Sequence, residues 1–233
     1  MSCISDKIRL LGVTCLLLIS AVFIAGCFSE NDNPQAKQPL LSAQLLPATK
    51  PLIKFSLESQ RGEEWTADNF KSHWNLVFFG FTLCPDLCPM ELHELTGLLK
   101  LASQVPGMDV RVIFISLDPE RDSKEKMADY LAAFNEQIIG LRGDNTELAK
   151  VSHFFAADYS RSARLDSDAS TNAGAALNIP AGIDMPPHAE GSYQVEHSPR
   201  IYIVDPMANY IGSFAPPFKA GLLWSELQVI IKR

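Results

Sequence analysis

Two cysteines, Cys84 and Cys88, stand four positions apart in the proline-containing segment Thr-Leu-Cys-Pro-Asp-Leu-Cys-Pro. The run Leu76–Phe81 just before this segment is apolar and is predicted to be a buried strand. Pro89, the last residue of this segment, suits the first turn of a helix, where a missing N–H costs nothing. The cysteines are therefore predicted in a turn beyond the carboxyl end of a strand, where open α/β sheets place their ligands.

Thiolates at this spacing support more than one kind of chemistry. The free N–H groups at a helix N-terminus favour a thiolate, so a lowered thiol pKa is expected there. Two thiolates can share a metal ion, and soft thiolates select copper(I) or zinc. The same two sulfurs can form a disulfide, which makes Cys84 and Cys88 a candidate redox pair. Packing as two small apolar residues is the remaining interpretation, which the tight turn and the two prolines disfavour.

The composition restricts the class of protein. The chain has 233 residues, 47% of them hydrophobic, as is typical of a globular domain. Its net charge is -7 and it has no basic tract, so the prediction is that nucleic acid is not a partner. Cys3, Cys15 and Cys27 lie in or beside an apolar N-terminal stretch. The rest of the chain then holds only a close pair of cysteines, which favours a metal or redox site over a disulfide framework.

Apolar runs and stretches of helical periodicity alternate along the chain, which predicts an α/β fold with a mostly parallel central sheet covered on both faces. Residues 158–195 are rich in Ala, Ser, Asp, Gly and Pro and are predicted to be a long loop insertion. The predicted strands are Leu52–Leu57, Leu76–Phe81, Val110–Leu117, Ile138–Leu141, Ile201–Val204 and Tyr210–Phe214, the last two as a hairpin. The predicted helices are Pro89–Ser103, Asp122–Phe134, Asp144–Ala156 and Gly221–Lys232.

Three blocks carry a resemblance to a known family. They are FTLCPDLCP around the cysteines, VIFISLDPERDS at 112–123 and EHSPRIYIVDP at 196–206. With these blocks in this order, residues 50–233 resemble the Sco/SenC family of copper-binding proteins of the thioredoxin superfamily. The resemblance implies a thioredoxin-like fold, with a central mixed sheet flanked by helices.

The same resemblance implies a ligand set. It assigns the copper-ligating histidine to His197, which stands directly before the strand predicted at Ile201–Val204. Copper would then be held by Cys84, Cys88 and His197, and two thiolates with one imidazole accept copper(I) and can also hold copper(II). The family usually has Asp before this histidine. Here the residue is Glu196, which retains a carboxylate.

The function that the resemblance implies is copper delivery to, or preparation of, the binuclear copper centre of cytochrome c oxidase. The expected partners are the oxidase subunit that holds this centre and a copper donor or thiol reductant protein. One alternative is a thiol–disulfide oxidoreductase that reduces target cysteines, which has no need of His197. A peroxiredoxin-like enzyme is another, but it needs an Arg or Thr beside its thiol. Thr82 is present and no clear Arg stands out in the sequence.

Two carboxylates, Asp86 and Asp118, are candidates to support the ligands without binding the metal. Asp86 lies between the cysteines, where it could orient the turn or meet a partner. Asp118 ends the second central strand, near the same edge of the sheet. Capping of a turn is the alternative role for both residues.

The N-terminus has the pattern of an export signal. Lys7 and Arg9 precede an uncharged run over residues 10–29. The tetrapeptide Ile-Ala-Gly-Cys that ends at Cys27 resembles a bacterial lipobox, in which the cysteine is lipidated. An uncleaved transmembrane helix is the alternative, and both would leave the domain exported and anchored on the periplasmic side of a bacterial membrane. The expected organisation is a signal peptide at 1–26, a tether at 27–50 and a thioredoxin-like domain at 51–233.

One backbone feature is also predicted. The segment around Pro199 resembles the thioredoxin-superfamily segment in which a cis-proline opens the strand that faces the active site. A cis X–Pro bond costs only about 0.5–1 kcal/mol. The Ser198–Pro199 bond is therefore predicted to be cis, which would bring His197 toward the cysteines. A trans bond is also permitted at the start of a strand.

Overall fold

The structure is a computed structural model that describes residues 42–164, 176–184 and 193–233. In chain order its strands are β1 (Ala43–Pro51), β2 (Leu57–Ser59), β3 (Glu64–Trp65), β4 (Trp74–Gly80), β5 (Val110–Ser116), β6 (Ile139–Arg142), β7 (Tyr159–Arg164), β8 (Ala176–Pro180), β9 (Tyr193–His197), β10 (Ile201–Val204) and β11 (Asn209–Phe214). Its α-helices are α1 (Leu87–Ala102), α2 (Lys124–Ala132), α3 (Asn145–Phe155) and α4 (Ala220–Ile231), and Ala67–Phe70 is a 3-10 helix.

Most of these strands form one mixed sheet, in the order β1-β11-β10-β4-β5-β6-β2-β3. Strands β4, β5 and β6 run parallel to one another, and the other neighbours are antiparallel. Strands β4 and β5 are buried almost from end to end, which is why both read as continuous apolar runs. The predicted α/β fold with a central mixed sheet is confirmed, together with the final β10–β11 hairpin. The expectation of a mostly parallel sheet is wrong, because among the described strand pairs only β4–β5 and β5–β6 are parallel.

Helices cover both faces of the sheet. On one face, Phe114 of β5 packs against Tyr130 of α2, with ring centroids 6.2 Å apart. Helix α1 contacts β5 and packs against α4. On the other face, Phe79 of β4 meets Phe155 of α3 edge to face at 5.8 Å. The core therefore lies on both sides of β4 and β5, and the turn that follows β4 emerges from the most buried part of the domain.

The start of the domain differs from the predicted boundary. Residues 43–50 were predicted to belong to the tether, but they form β1, which pairs antiparallel with β11 at the edge of the sheet. Most residues of β1 are not buried, because an edge strand is held by hydrogen bonds along one side, so the sequence carries little apolar pattern. The strand predicted at Leu52–Leu57 is wrong. Its apolar residues pack against the core without strand pairing, and only Leu57 belongs to a strand.

The segment predicted as a long loop, residues 158–195, contains β7, β8 and the start of β9. These strands form a separate antiparallel sheet with the order β8-β7-β9. The sequence does not reveal β7 because a charged residue, Arg161, occupies the buried position that an apolar side chain would normally take. Its guanidinium is neutralised by Glu120, at 2.8 and 2.9 Å from the two carboxylate oxygens.

The prediction of a cis bond between Ser198 and Pro199 is wrong. Among the described residues the cis peptide bond is Pro216–Pro217, so the Ser198–Pro199 bond is trans. The backbone N–H of Ser198 donates to the carbonyl of Asp158 at 3.1 Å, which continues the pairing of β9 with β7. The β9 strand therefore carries His197 to its place, and no cis bend is needed for that.

Candidate metal centre

The two cysteines lie where the buried strand β4 gives way to helix α1. Residues 81–86 form the connection, which we call the cysteine turn. Cys84 is half-buried in this turn, and Cys88 is fully buried in the first turn of α1. The helix begins at Leu87, and the backbone N–H of Cys88 points at Sγ of Cys84, 3.4 Å away. Both sulfurs are free thiols on the same side of the turn, so they are placed to act as a pair.

A glycine makes room for the buried thiol. Gly80 is the last residue of β4, directly under Cys88. A methyl group in place of its hydrogen would lie 3.0 Å from Sγ of Cys88 and 2.8 Å from the ring of Phe114. Both distances are shorter than ordinary contacts, so any larger residue at position 80 would push the sulfur from its place.

His197 completes the group from a different part of the chain. Its Nε2 atom lies 3.6 Å from Sγ of Cys88, and the three candidate ligand atoms of Cys84, Cys88 and His197 lie within 4.8 Å of one another. The rings of Phe78 and Phe81 pack edge to face against the imidazole, each with its centroid 6.1 Å away. These contacts restrict the ring, and the other nitrogen, Nδ1, donates to the carbonyl of Ser198 at 3.2 Å. In this tautomer Nε2 has its lone pair free for a metal.

Burial sets the charge state of these groups. It raises the pKa of the Cys88 thiol well above its ordinary value. It also lowers the pKa of His197, which favours the neutral imidazole. The lowered thiol pKa expected at a helix N-terminus is therefore wrong for Cys88, because loss of hydration outweighs the partial charge of the helix end. A metal ion that binds here must displace the thiol proton, and it meets an imidazole that is already neutral.

A buried carboxylate that the sequence interpretation overlooked holds the cysteine turn. Asp122 accepts hydrogen bonds from the backbone N–H of Thr82 at 3.0 Å, from the Thr82 hydroxyl at 2.5 Å and from the Ser116 hydroxyl at 2.6 Å. Asp122 was considered only as a helix start, a role that Ser123 takes. The sequence signal for a role of Asp122 in the site is its position in the block VIFISLDPERDS. Because Thr82 is bonded to Asp122, its hydroxyl is not the free donor that a peroxiredoxin-like site would need.

Asp118 contacts the first residue of the strand that carries His197. Its carboxylate is buried, accepts a bond from the Tyr193 hydroxyl and lies 2.5 Å from Nε of Arg121. Arg121 in turn stacks over the Tyr193 ring at 3.7 Å and donates to the Tyr193 carbonyl at 2.9 Å. Tyr193 begins β9, the strand that ends in His197. Asp118 and Arg121 therefore tie the histidine-bearing strand to the end of β5.

A cleft of about 440 Å³ opens beside Cys84, and we call it the Cys84 cleft. Asp86 lies on its rim, exposed, at the N-cap of α1 without a capping hydrogen bond from its side chain. Of the two carboxylates that the sequence nominated, Asp118 is bonded to Arg121 and Tyr193, whereas Asp86 is exposed beside the cleft. The lining also includes Phe81, Leu83, Leu87, Arg121, Tyr193 and Val195.

The other described histidines lie away from this group. His73 pairs with Asp109 at 2.7 Å, and His93 and His153 are exposed on helices α1 and α3. Among the described residues, Cys84, Cys88 and His197 form the cluster of His, Cys, Asp or Glu side chains that could hold a metal ion. Among the described histidines, His197 is thus the candidate ligand because of its tertiary position, since only its ring reaches the thiols.

Fold and site together define a thioredoxin-like protein with two thiols and one imidazole at the end of its central strands. Comparison with known proteins places it further. The family model described as SCO1/SenC matches residues 45–232. This match covers most of the chain, and the chain belongs to the SCO1/SenC family.

Relatives from several kinds of organism are similar to this chain. Protein sco1 of Schizosaccharomyces pombe is 34% identical over 160 residues, which are 69% of this chain and 53% of that protein. The mitochondrial protein SCO2 homolog of Homo sapiens is 31% identical over 201 residues, 84% of this chain and 67% of that protein. The chain thus spans about half the length of the fission-yeast relative. A bacterial SCO2-like protein, RP587 of Rickettsia prowazekii, is 26% identical over 90% of both chains.

Solved structures of copper-bound proteins have the same fold. Yeast Sco1 with copper bound matches with a TM-score of 0.64 at 26% identity, covering 78% of this chain and 89% of that one. Arabidopsis thaliana ScoI with copper bound matches with a TM-score of 0.62 at 26% identity, covering 78% of this chain and 98% of the other. The thioredoxin-like family fold is therefore shared with proteins that hold copper.

The N-terminal predictions fall on residues that the structure does not describe. Cys27, the candidate lipidation site, lies outside the described residues, as do the signal peptide and most of the tether. Within residues 42–164, 176–184 and 193–233, no helix has the length and apolar character needed to cross a membrane.

Proposed function

We propose that this protein is a copper metallochaperone that holds its cargo through Cys84, Cys88 and His197. The observation that carries the proposal is the convergence of two thiols and one neutral imidazole within 4.8 Å at the end of buried strands. Thiolates are soft ligands suited to copper(I), and an imidazole extends the set to copper(II). Copper-bound structures of yeast Sco1 and Arabidopsis ScoI, which are similar to this chain, support copper as the metal.

The target that we propose is the binuclear copper centre of cytochrome c oxidase, through the oxidase subunit that holds it. Membership of the SCO1/SenC family supports this target. Delivery would proceed by ligand exchange, and the exposure of Cys84 beside an open cleft supports that route. Cys88 is fully buried, whereas Cys84 is half-buried, so Cys88 would release copper after Cys84. A copper donor or thiol reductant protein would load or reset the site.

The test is copper stoichiometry of the purified full chain under anaerobic conditions. The wild-type protein is expected to bind one copper(I) per chain, and Cys84→Ser or Cys88→Ser to abolish stoichiometric binding, because one thiolate and one imidazole cannot replace two thiolates. His93→Ala, which changes an exposed histidine on the same helix, is the matched control and should bind as wild type. Retained stoichiometric copper in the Cys84→Ser/Cys88→Ser double variant would rule out the site.

A thiol–disulfide oxidoreductase is the second candidate function. Its support is that both thiols are free and close, with the Cys88 N–H 3.4 Å from Sγ of Cys84. In that role the two thiols would become a disulfide while a target disulfide is reduced to two thiols. His197→Ala separates the two functions, since it should leave thiol exchange with a disulfide substrate nearly unchanged but weaken copper binding.

We also propose that the protein is an exported lipoprotein on the periplasmic side of a bacterial membrane, anchored through Cys27. The positive residues Lys7 and Arg9 before an apolar run support export, and the tetrapeptide that ends at Cys27 supports lipidation. Intact mass of the membrane-extracted protein is the measurement. A mature chain that begins at a lipid-bearing Cys27 is expected, and Cys27→Ser should leave residues 1–26 attached. A wild-type chain that retains residues 1–26 would contradict the proposal.

A further inference from the structure

Strand β9 is an edge strand that lies beside the candidate copper ligands. The small sheet has the order β8-β7-β9, so within residues 42–164, 176–184 and 193–233 β9 pairs with β7 along one side only. Its other side faces the Cys84 cleft, where Tyr193, Gln194 and Val195 contribute to the lining together with Cys84. An edge strand presents backbone donors and acceptors that can pair with another chain.

The register of the small sheet shows which backbone groups of β9 point into the cleft. The N–H of Ser198 donates to the carbonyl of Asp158, its direct partner across the ladder, so this pair is hydrogen-bonded. Hydrogen-bonded and non-hydrogen-bonded pairs alternate along an antiparallel ladder. Val195 stands three positions before Ser198, opposite Arg161, and its pair is therefore of the other kind. Its N–H and C=O groups point away from β7.

A second contact agrees with this direction. The carbonyl of Tyr193, two residues before Val195, accepts its hydrogen bond from Nη1 of Arg121, which lines the cleft. Backbone groups two residues apart on a strand point to the same side. Among the described residues, no donor or acceptor meets the N–H or C=O of Val195. In the part of the chain that the structure describes, the cleft therefore contains one donor and one acceptor of strand geometry that have no partner.

We propose that the free edge of β9 at Val195 pairs with an extended segment of a cysteine-bearing target polypeptide, and that this pairing places the target sulfur against Cys84. This inference rests on the proposed function and identifies how the target docks. Addition of a strand to an exposed sheet edge gives affinity through main-chain bonds and specificity through side-chain pockets. The commitment to a cysteine-bearing segment follows from the position of Cys84, whose thiol lines the same cleft as Val195.

The side chains around the cleft indicate what the segment carries besides its cysteine. Leu83 and Leu87 are each 50% exposed on the rim, which suits an apolar neighbour on the target. Arg121 uses Nε for Asp118 and Nη1 for Tyr193, and its Nη2 has no hydrogen-bond partner among the described residues. A carboxylate on the docked segment would pair with this nitrogen.

Transfer in this arrangement is a balanced exchange. Two target thiols replace the sulfurs of Cys84 and Cys88 on copper(I), and their two protons pass to the thiolates that are released. The imidazole of His197 leaves the metal as a neutral ligand and takes up no proton. The copper keeps its oxidation state, so no electron donor or acceptor takes part. Pairing at Val195 contributes by holding the incoming thiols beside the outgoing ones.

The experiment uses the full chain, loaded with copper(I), and a short synthetic peptide with two cysteines, flanking apolar residues and one glutamate. Hydrogen exchange resolved to single amides is expected to slow at Val195 when the peptide binds. Exchange at Gln194 should not change, because its N–H already belongs to the ladder with β7. Val195→Pro removes the free N–H, and proline is tolerated on an edge strand where the N–H points outward. It is expected to lower peptide affinity about five- to tenfold, the effect of one lost hydrogen bond.

Val195→Thr is the matched control, since it keeps the N–H and should bind the peptide as wild type does. A peptide with lysine in place of its glutamate should bind more weakly. N-methylation of alternate peptide nitrogens tests the pairing without altering the protein, since only one of the two sets should block binding.

Equal affinity of Val195→Pro and wild type, with copper still bound, would overturn the docking mode and leave the copper proposal intact. Protection of Val195 that rises with protein concentration in the absence of peptide would instead assign the edge to a second copy of this chain, and would also overturn it. Loss of copper from the wild-type protein would count against the proposed function itself.

Discussion

The Nε2 atom of His197 lies 3.6 Å from Sγ of Cys88 although 109 positions separate the two residues in the chain. Two tertiary connections hold this proximity. Asp122 fixes the cysteine turn through Thr82, and Arg121 fixes the start of the histidine-bearing strand through Tyr193. Asp122 and Arg121 are adjacent in sequence, so one short segment after β5 positions both halves of the candidate metal centre.

Removal of the imidazole should affect the two oxidation states of copper unequally. Copper(I) can remain on the thiolates of Cys84 and Cys88, whereas copper(II) depends more on a nitrogen ligand. His197→Ala is therefore expected to weaken copper(II) binding at least about tenfold more than copper(I) binding, a difference of about 1.4 kcal/mol. Competitive titration with a chelator in each oxidation state measures this. His73→Ala is the control, and equal losses in the two states would contradict the proposed role of His197.

A methyl group at position 80 should disturb the centre although no ligand residue is replaced. Gly80→Ala would place a carbon 3.0 Å from Sγ of Cys88 and 2.8 Å from the Phe114 ring. We expect a loss of about 1–3 kcal/mol of unfolding free energy, as is usual for overpacking, together with weaker copper(I) binding. Urea denaturation and copper titration are the measurements.

The matched control for this change is Gly221→Ala in the first turn of α4. A methyl group there meets nothing within 4 Å, and it should stabilise the protein by a few tenths of a kcal/mol to about 1 kcal/mol. If Gly80→Ala were as stable as wild type and bound copper equally well, the close packing under Cys88 would not matter for the site.

Loss of the Asp122 carboxylate should loosen the cysteine turn. Asp122→Ala leaves the Thr82 N–H and two buried hydroxyls without their acceptor. A cost of about 2–4 kcal/mol of unfolding free energy is expected, since each unsatisfied buried donor costs about 1–3 kcal/mol and part of the cost is relieved by relaxation. Denaturation of the metal-free protein measures it. Asp86→Ala changes an exposed carboxylate of the same cysteine turn and should stay within about 0.5 kcal/mol of wild type.

Glu91 in α1 predicts a dependence of stability on pH. Its carboxyl is buried, one oxygen has no partner, and burial raises its pKa to about 7 from an ordinary 4.5. The folded protein then binds this proton more tightly than the unfolded chain does. The contribution of Glu91 to unfolding free energy should therefore fall by up to about 3 kcal/mol as pH rises from about 4.5 to about 7. Above that pH it should stay low.

Glu91→Gln removes this titration while keeping the size of the side chain. The metal-free variant should gain stability relative to wild type at pH 8 and show little difference at pH 4. Glu136→Gln, at an exposed position, is the control and should follow the wild-type curve. Parallel curves of unfolding free energy against pH for wild type and Glu91→Gln would show that the carboxyl of Glu91 is hydrated in the folded protein.

The sequence by itself determined the central strands and the described α-helices of the domain. The apolar runs at β4, β5, β10 and β11 predicted strands because the buried strands of a covered sheet have few polar residues. Helix periodicity predicted α1 to α4 to within a few residues. The resemblance of three blocks placed Cys84, Cys88 and His197 in one ligand set before any distance was known, and the chain indeed belongs to the family that those blocks suggested.

Tertiary structure decided what depends on contacts between distant segments. Strand β1 had no apolar pattern because it is held by backbone pairing with β11, and β7 was hidden by a buried Arg161 whose charge is balanced by Glu120. The role of Asp122 and the pKa of Cys88 follow from burial, which a linear pattern does not contain. Sequence thus determined which residue types are available for copper chemistry. Folding decided their spacing, protonation and access, because these depend on which distant groups exclude water from the same small volume.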